Sequence, residues 1–595
     1  MNKVPVACIA MVAFCAVPAA MAQRGNRGGG GQGAAAAAAD AKPEEGIPVT
    51  DPLTISKCGT CHVKDDKGNL GRISWERATP EGWEQAIKRM VRLNGLTISP
   101  ADARSIVKYL ATWHGLAPEE AKPVMYMPEH RILDETNIPN DGVKAACTTC
   151  HALGRAMSWR RSKDDWKLLE NLHVALYAQA DAHFRRPGRG GGGGGGGGAE
   201  AAPAEGQAGA QPAPEPGEAA LDFLAKSAPL HSPEWAAWQS RIRAPRIAGK
   251  WLVSATVLGY GKFVGEMVIA PGPAEDEFKT TTTLKSLRNG TVIKRSGTGL
   301  VFAGYSWRGR SKGTPAASKD PGDLLSDARE TLWISPDQTW AEGRWFWGDY
   351  QEFGFDVKLT RASNDPTLVS VAANSLKAGS KGLQVQIIGD NLPANLAPAD
   401  LDLGAGVKVN KIVSHTKTEL VVDVDVAADA VSGKRDAGLG RSILQNAFAV
   451  YKRIDYIKVT PSTALAHLGS DVHPKGFQQF EAVAFENGVD GKPHTADDVE
   501  LGPVDAIWSV EEFMAVYGDD DKSFVGHLSE TALFTPASDG PNPERKFSRN
   551  NYGDVWVVAQ AKNEKDKDGK PLTDKAYLVV TVPTYIKWDQ PEVSN

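Results

Sequence analysis

Two five-residue stretches constrain this chain more than anything else in it. CGTCH runs from Cys58 to His62, and CTTCH runs from Cys147 to His151. Cys-x-x-Cys followed directly by His is the attachment motif of a c-type haem. The two sulfurs hold the porphyrin through thioethers, and the adjacent imidazole supplies an axial ligand to the iron. Cys58, Cys61, Cys147 and Cys150 are therefore expected as thioether positions, with His62 and His151 on the two irons. The chain has 6 cysteines, and the other two, Cys8 and Cys15, fall in an N-terminal apolar run. None is left for a disulfide. Zinc is the competing use of such pairs, but it gives no reason for a histidine directly after each one.

That apolar run, VPVACIAMVAFCAVPAAMA after Lys3, ends in Ala20-Met21-Ala22 and reads as a secretory signal peptide over residues 1–22. It is short for a membrane span. The balance of 42% hydrophobic and 23% charged residues, with net charge −5, points to neither nucleic acid nor an anionic membrane. Residues 23–50 are low in complexity. A Gly/Pro-rich stretch over 187–218, beginning PGRGGGGG, reads as a flexible insertion. Residues 51–245, apart from that insertion, carry helical spacing. EGWEQAIKRMVRL places Trp83, Ile87, Met90 and Val91 on one face, and ADARSIVKYLATW does the same with Ile106, Val107, Leu110 and Trp113. Ser99-Pro100 opens that second helix as cap and first-turn proline. DDWKLLENLHVAL, from Asp164, is a third.

The two motifs sit in an internal repeat. TPEGWEQAIKRMVRL follows the first, and SKDDWKLLENLHVAL follows the second. Aligning Trp83 with Trp166 sets Met90 opposite His173, two turns beyond the tryptophan on the same face. The reading is His62/Met90 for the first haem and His151/His173 for the second. Thioether sulfur favours ferrous iron, so the first haem should have the higher potential. Met125, Met127, Met157, His114, His130 and His183 are the rivals. Trp83 and Trp166 are expected to pack against porphyrin or core.

After Arg246 the texture changes to short alternating segments between Gly-rich turns, the pattern of antiparallel strands. We expect an N-terminal all-α dihaem cytochrome c domain followed by three antiparallel all-β domains. These are a barrel-like domain over 246–363 and Ig-like domains over 364–453 and 454–595. No nucleophile elbow, phosphate loop or dinucleotide fingerprint stands in a fitting context, so no catalytic residue is assigned. Phe485–Gly502 holds acidic residues near glycines without EF-hand spacing, and a solvated turn is preferred to calcium. His467, His473, His494 and His527 are taken as structural or surface residues. The aromatic run TWAEGRWFWGDY, Thr339 to Tyr350, is taken as core.

The paired CGTCH and CTTCH, together with WEQAIKRMVRLNGL, SPEWAAWQSRIRAPRIAGKWLVSATVLGYGKFVGEM and ADDVELGPVDAIWSVEEF, resemble the alpha subunit of quinohemoprotein amine dehydrogenase. The resemblance covers nearly the whole mature chain. It implies a periplasmic heterotrimer with a β-propeller subunit and a small subunit that carries cysteine tryptophylquinone and oxidises primary amines. Electrons would pass from that quinone through one Met/His and one bis-His haem c to a cupredoxin or cytochrome c. The competing readings are a self-sufficient dihaem peroxidase, which needs an open sixth position, and a binding module whose β domains grip a polysaccharide. A different periplasmic dehydrogenase built on the same subunit is a third.

Overall fold

The first third of the chain is built on two copies of one small unit, a three-residue strand leading through a hydroxyl cap into a helix. The computed structural model describes residues 44–125, 140–148, 153–185 and 215–583, apart from 319, 321, 350–351, 515–518 and 567. Helix α1 (Pro52–Cys58) is followed by β1 (Glu76–Ala78), α2 (Pro80–Asn94) and α3 (Pro100–Trp113). Then come α4 (Pro118–Ala121), α5 (Asp141–Cys147) and α6 (Gly154–Met157). The second copy is β2 (Trp159–Arg161) and α7 (Lys163–Leu176), trailed by α8 (Ala178–Arg185), α9 (Pro216–Ser227) and α10 (Pro233–Gln239). β1 and β2 pair antiparallel, Glu76 opposite Arg161 and Ala78 opposite Trp159. The region is therefore not all-α as expected, because the ribbon and long irregular stretches interrupt its helices. Pro216–Glu218, assigned to the flexible insertion, form the first turn of α9, which lies against α5, α7 and α8.

Eight strands then close a barrel. They are β3 (Gly249–Val257), β4 (Gly261–Pro271), β5 (Glu277–Ser286), β6 (Val292–Phe302), β7 (Ser306–Thr314), β8 (Ala328–Ile334), β9 (Trp340–Trp347) and β10 (Phe353–Arg361). From Phe278 onward β5 alternates buried and exposed residues without a break, the period that lines one face of a sheet. Trp251, Phe263, Met267, Trp307, Trp345 and Phe355 fill the interior, so the aromatic run around Trp345 is core as expected. The haem-binding region is fastened to the outside of this barrel. Tyr305 Oη donates to the Leu116 carbonyl at 2.8 Å, Trp333 Nε1 donates to the Pro118 carbonyl at 2.8 Å, and Lys108 pairs with Asp276 at 2.6 Å. Arg308 of β7 forks across the Glu81 carboxylate in the first turn of α2, with both side chains buried.

The next domain packs two four-stranded sheets around one apolar core. The last carries one four-stranded and two three-stranded sheets. Each departs from the antiparallel expectation in one pair of described strands. Ser375–Lys377 runs parallel to Ser442–Tyr451, and Thr463–His467 runs parallel to Pro571–Thr581. Partners so distant in sequence leave no local signature. Among the described residues no helix is long and apolar enough to cross a membrane.

The last domain is latched to the barrel through a charged histidine. His467 is buried. Its Nε2–H donates to Asp349, between β9 and β10, at 2.6 Å, and its Nδ1–H donates to the Leu468 carbonyl at 2.9 Å. Both acceptors require an N–H, so the ring is an imidazolium. Burial opposes that charge, but the hydrogen bonds to Asp349 and Leu468 outweigh it and raise the pKa. A raised folded pKa gives stability that is complete below the unfolded value of about 6.5 and is lost as pH rises through the folded value. The thermal midpoint of the last domain should thus fall as pH rises above about 6.5, and His467→Gln should flatten that fall. An equal slope in the variant would assign it to other groups.

Candidate haem-binding site

The first motif coils directly off α1. Asp51 caps that helix by accepting from Thr54 N at 2.7 Å. Cys58 is its last residue, and the amides of Cys61 and His62 both turn back to the Cys58 carbonyl, at 3.2 and 2.9 Å. Cys58 packs into the core that holds Trp83 and Ile87 of α2, while Cys61 faces solvent. His62 Nδ1 lies 2.7 Å from the Gly71 carbonyl. A carbonyl only accepts, so Nδ1 carries the proton and the lone pair is on Nε2. That is the arrangement a haem-ligating histidine needs, with its tautomer fixed by the outer hydrogen bond.

The helices of the two copies are in the same phase. Thr79 Oγ1 accepts from Gly82 N ahead of α2, and Ser162 Oγ accepts from Asp165 N ahead of α7. Each cap thus serves the third residue beyond it. Trp83 and Trp166 are each the fourth residue past their cap, and both are buried. Met90 and His173 are each the eleventh, half-buried on their helices. The alignment made on the tryptophans is therefore also an alignment of caps. Gly95, in the left-handed conformation at φ 70°, ends α2 by returning its amide to the Met90 carbonyl, so the helix stops one turn beyond the sulfur. His173 Nδ1 donates to the Leu169 carbonyl at 2.9 Å, which again places the lone pair on Nε2. Its ring lies edge-on to Phe184, with centroids 6.2 Å apart.

The second motif is described only in part. Cys147 closes α5 and packs among Val143, Ala146, Leu153 and Phe184, close to Val174 of α7. Cys150 and His151 lie outside the described residues, as do Met127 and His130.

The described residues fit a covalently held porphyrin. Burial pushes the Cys147 thiol up to about 12. Burial, aided by Asp51 and Cys61, pushes Cys58 up to about 11. Sites that resist a thiolate are poor zinc ligands but suit a neutral thioether. Leu93 and Leu176 stand one turn past Met90 and His173, and they are 59% and 42% exposed. Val63, next to His62, is 75% exposed. One exposed leucine means nothing. The same leucine is exposed at the equivalent place in both copies, an apolar surface one turn past each candidate ligand.

Among the rival ligands, His114 is fully buried against Trp83 and Tyr109, and desolvation brings its pKa down to about 4. It is a neutral core residue with no surface for a porphyrin to reach. Met125 packs beside Trp333, and Met157 joins the cores around Phe184 and Trp166. His183 is half-buried on α8. Elsewhere, the acidic residues of Phe485–Gly502 are occupied in shaping their turn. Asp498 accepts from Tyr456 Oη, Gly488 N and Thr495 N at 2.7 to 2.9 Å. Asp519, Asp520 and Asp521 also converge, but Arg545 and Arg549 bridge them. Sequence reasoning missed the Gly71 and Leu169 carbonyls, because backbone acceptors carry no residue signal.

Four family models match the chain. They are described as quinohemoprotein amine dehydrogenase A, alpha subunit, haem binding, over residues 49–187; alpha subunit domain II, over 244–362; domain III, over 365–452; and domain IV, over 457–593. No curated protein matches it. Among solved structures, a de novo designed fluorescence-activating β barrel is similar over 19% of this chain and 93% of its own, at 18% identity and a TM-score of 0.15. The EC1-2 fragment of human protocadherin-24 is similar over 37% of this chain and 98% of its own, at 10% identity and a TM-score of 0.15.

Proposed function

This chain belongs to the quinohemoprotein amine dehydrogenase alpha-subunit family, and from that premise we propose that it is the two-haem electron wire of a periplasmic amine dehydrogenase. Membership makes it a haem-bearing subunit of an oxidoreductase complex. The proposal adds two covalent c-type haems, on Cys58/Cys61 and Cys147/Cys150. It assigns His62 and Met90 to the first iron and His151 and His173 to the second. The observation that carries it is the capped helix repeated in phase, with Met90 and His173 at one position and His62 and His173 held in the tautomer a metal requires. The haems supply one-electron redox chemistry when bound. The chain's residues do the rest: α1 and α5 present Cys58 and Cys147 at their ends, the Gly71 and Leu169 carbonyls aim the imidazoles of His62 and His173, and the barrel holds α2 through Glu81.

In this reading, residues 1–22 direct export and are removed. The amine is oxidised on another chain, a small subunit bearing cysteine tryptophylquinone beside a β-propeller subunit. A cupredoxin or cytochrome c takes the electrons away. The test adds a primary alkylamine, without mediator, to the chain alone and to the chain with its native partners, and follows haem absorbance. Reduction only in the partnered sample is expected. Reduction of the isolated chain would put the amine site here, and none in the partnered sample would remove the amine.

A further inference from the structure

Charged side chains from both copies of the repeat meet out of water where β1 pairs with β2. Glu76 of β1, Arg161 of β2 and Asp165 of α7 are all buried. Arg161 Nη1 contacts Glu76 Oε1 at 2.5 Å and also contacts Asp165 Oδ2, so the two carboxylates converge on one nitrogen. Arg72, just ahead of β1, reaches Asp165 at 3.3 Å and Glu76 at 3.7 Å. Its side chain is 37% exposed, which makes it the edge of the cluster open to solvent. Arg89 of α2 adds a further positive charge from inside. The cluster is connected through the chain to both proposed haem sites. Arg72 follows Gly71, whose carbonyl accepts a hydrogen bond from His62 Nδ1–H, and Asp165 stands on α7 about two turns before His173.

Two carboxylates this close do not both ionise readily in a buried site. Burial pushes Glu76 up to about 7; Arg161 and Arg72 pull against the rise, and the Asp165 carboxylate adds to it. We propose that Glu76, paired with Asp165, is a proton-binding site that loads when the haem-binding region takes up an electron. This rests on the dihaem reading above. A haem held by these residues would supply the one-electron change, and for each electron taken up one proton from solvent, entering past Arg72, would bind a Glu76 oxygen. No bond between heavy atoms forms or breaks. An added electron would lower the positive charge of the haem-binding region, and a proton on Glu76 would restore it. By linkage, electron affinity and proton affinity rise together.

The experiment is potentiometry of the holoprotein from about pH 5.5 to about pH 8.5, bracketing the usual range of a perturbed carboxyl, with dye-reported proton uptake on reduction as a second readout. The midpoint of at least one haem should fall as pH rises through neutrality. Glu76→Gln should flatten that fall and abolish the uptake. Asp165→Asn removes the like charge but keeps Arg161, so the falling segment should move to lower pH. A fall that persists unchanged in both variants belongs to haem propionates or other groups and overturns the proposal. Two haem waves with pH-independent midpoints overturn it alone. A holoprotein without two haem waves overturns the dihaem reading and takes this proposal with it.

Discussion

Arg308→Ala is expected to cost about 3–5 kcal/mol in the transition that releases the haem-binding region from the barrel. Arg308 and Glu81 are both buried, and the guanidinium meets both carboxylate oxygens, with Nη2 to Oε2 at 3.1 Å. Arg308 Nη1 also donates to Ser306 Oγ and to the Trp307 carbonyl, at 3.1 and 2.9 Å, which fixes the orientation of the guanidinium fork. Burial alone would raise the Glu81 carboxyl, but Arg308 more than offsets it and holds the group below the usual carboxylate range. Truncating the arginine leaves a buried carboxylate without its hydrogen-bonded partner, with the charge of Arg329 still acting on it, so the penalty exceeds what the pair itself contributes. Arg308→Met with Glu81→Leu removes both charges and should recover most of the loss. A chain of several domains does not unfold in two states. The measurement is therefore the denaturant midpoint reported by haem absorbance, compared with the barrel's own tryptophan signal. A single-variant loss below about 1 kcal/mol, the size of an exposed pair, would mean that water reaches Glu81.

The same contact shows what the sequence could and could not disclose. The helices around Trp83, Leu110 and Trp166 were legible because an apolar stripe at helical period survives any tertiary context, and Ser99 before its proline announced the start of α3, while the matching caps Thr79 and Ser162 became visible only in the fold. The barrel was legible from the alternating segments that form β3, β4, β8, β9 and β10. The β1–β2 ribbon was not. Its residues are Glu76-Arg77-Ala78 and Trp159-Arg160-Arg161, and charged triplets read as solvent-exposed. They are buried because their partners come from far along the chain. Arg77 forks onto Glu120 at 2.7 and 2.9 Å, and Arg160 reaches that same carboxylate at 3.4 Å. No local window contains both members of such a pair. The helical start of α9 was hidden for the opposite reason, since Pro216, Gly217 and Glu218 match the composition of the stretch before them. At the candidate site, motif and repeat supplied the candidate ligands, while the carbonyls next to His62 and His173 are visible only once the chain is folded.

Exchanging the two candidate ligands should transpose the properties of the haems. Met90 and His173 occupy the same position past equivalent caps, on helices that each follow one strand of the same ribbon. If both are axial ligands, the identity of that one residue distinguishes the sites. Met90→His should abolish the sulfur-to-iron charge-transfer band and lower the first haem's potential on the order of 0.1 V, a fraction of the roughly 0.8 V that axial ligation spans. His173→Met should create such a band at the second haem and raise its potential. The double variant should then show one band again, now on the haem attached at Cys147 and Cys150. Each change has a local support to replace. Met90 Sδ accepts a weak contact from Asn94 Nδ2 at 3.7 Å, and a histidine there needs a carbonyl for Nδ1. The residue four positions earlier, Ala86, lies on the same helix and offers the acceptor that Leu169 offers His173. A charge-transfer band that survives Met90→His would move the sulfur ligand to Met125, Met127 or Met157. A low-spin second haem unchanged in His173→Ala would release His173 from the iron. Because the alignment of caps predicts both substitutions together, one such failure counts against the repeat as well as against the residue.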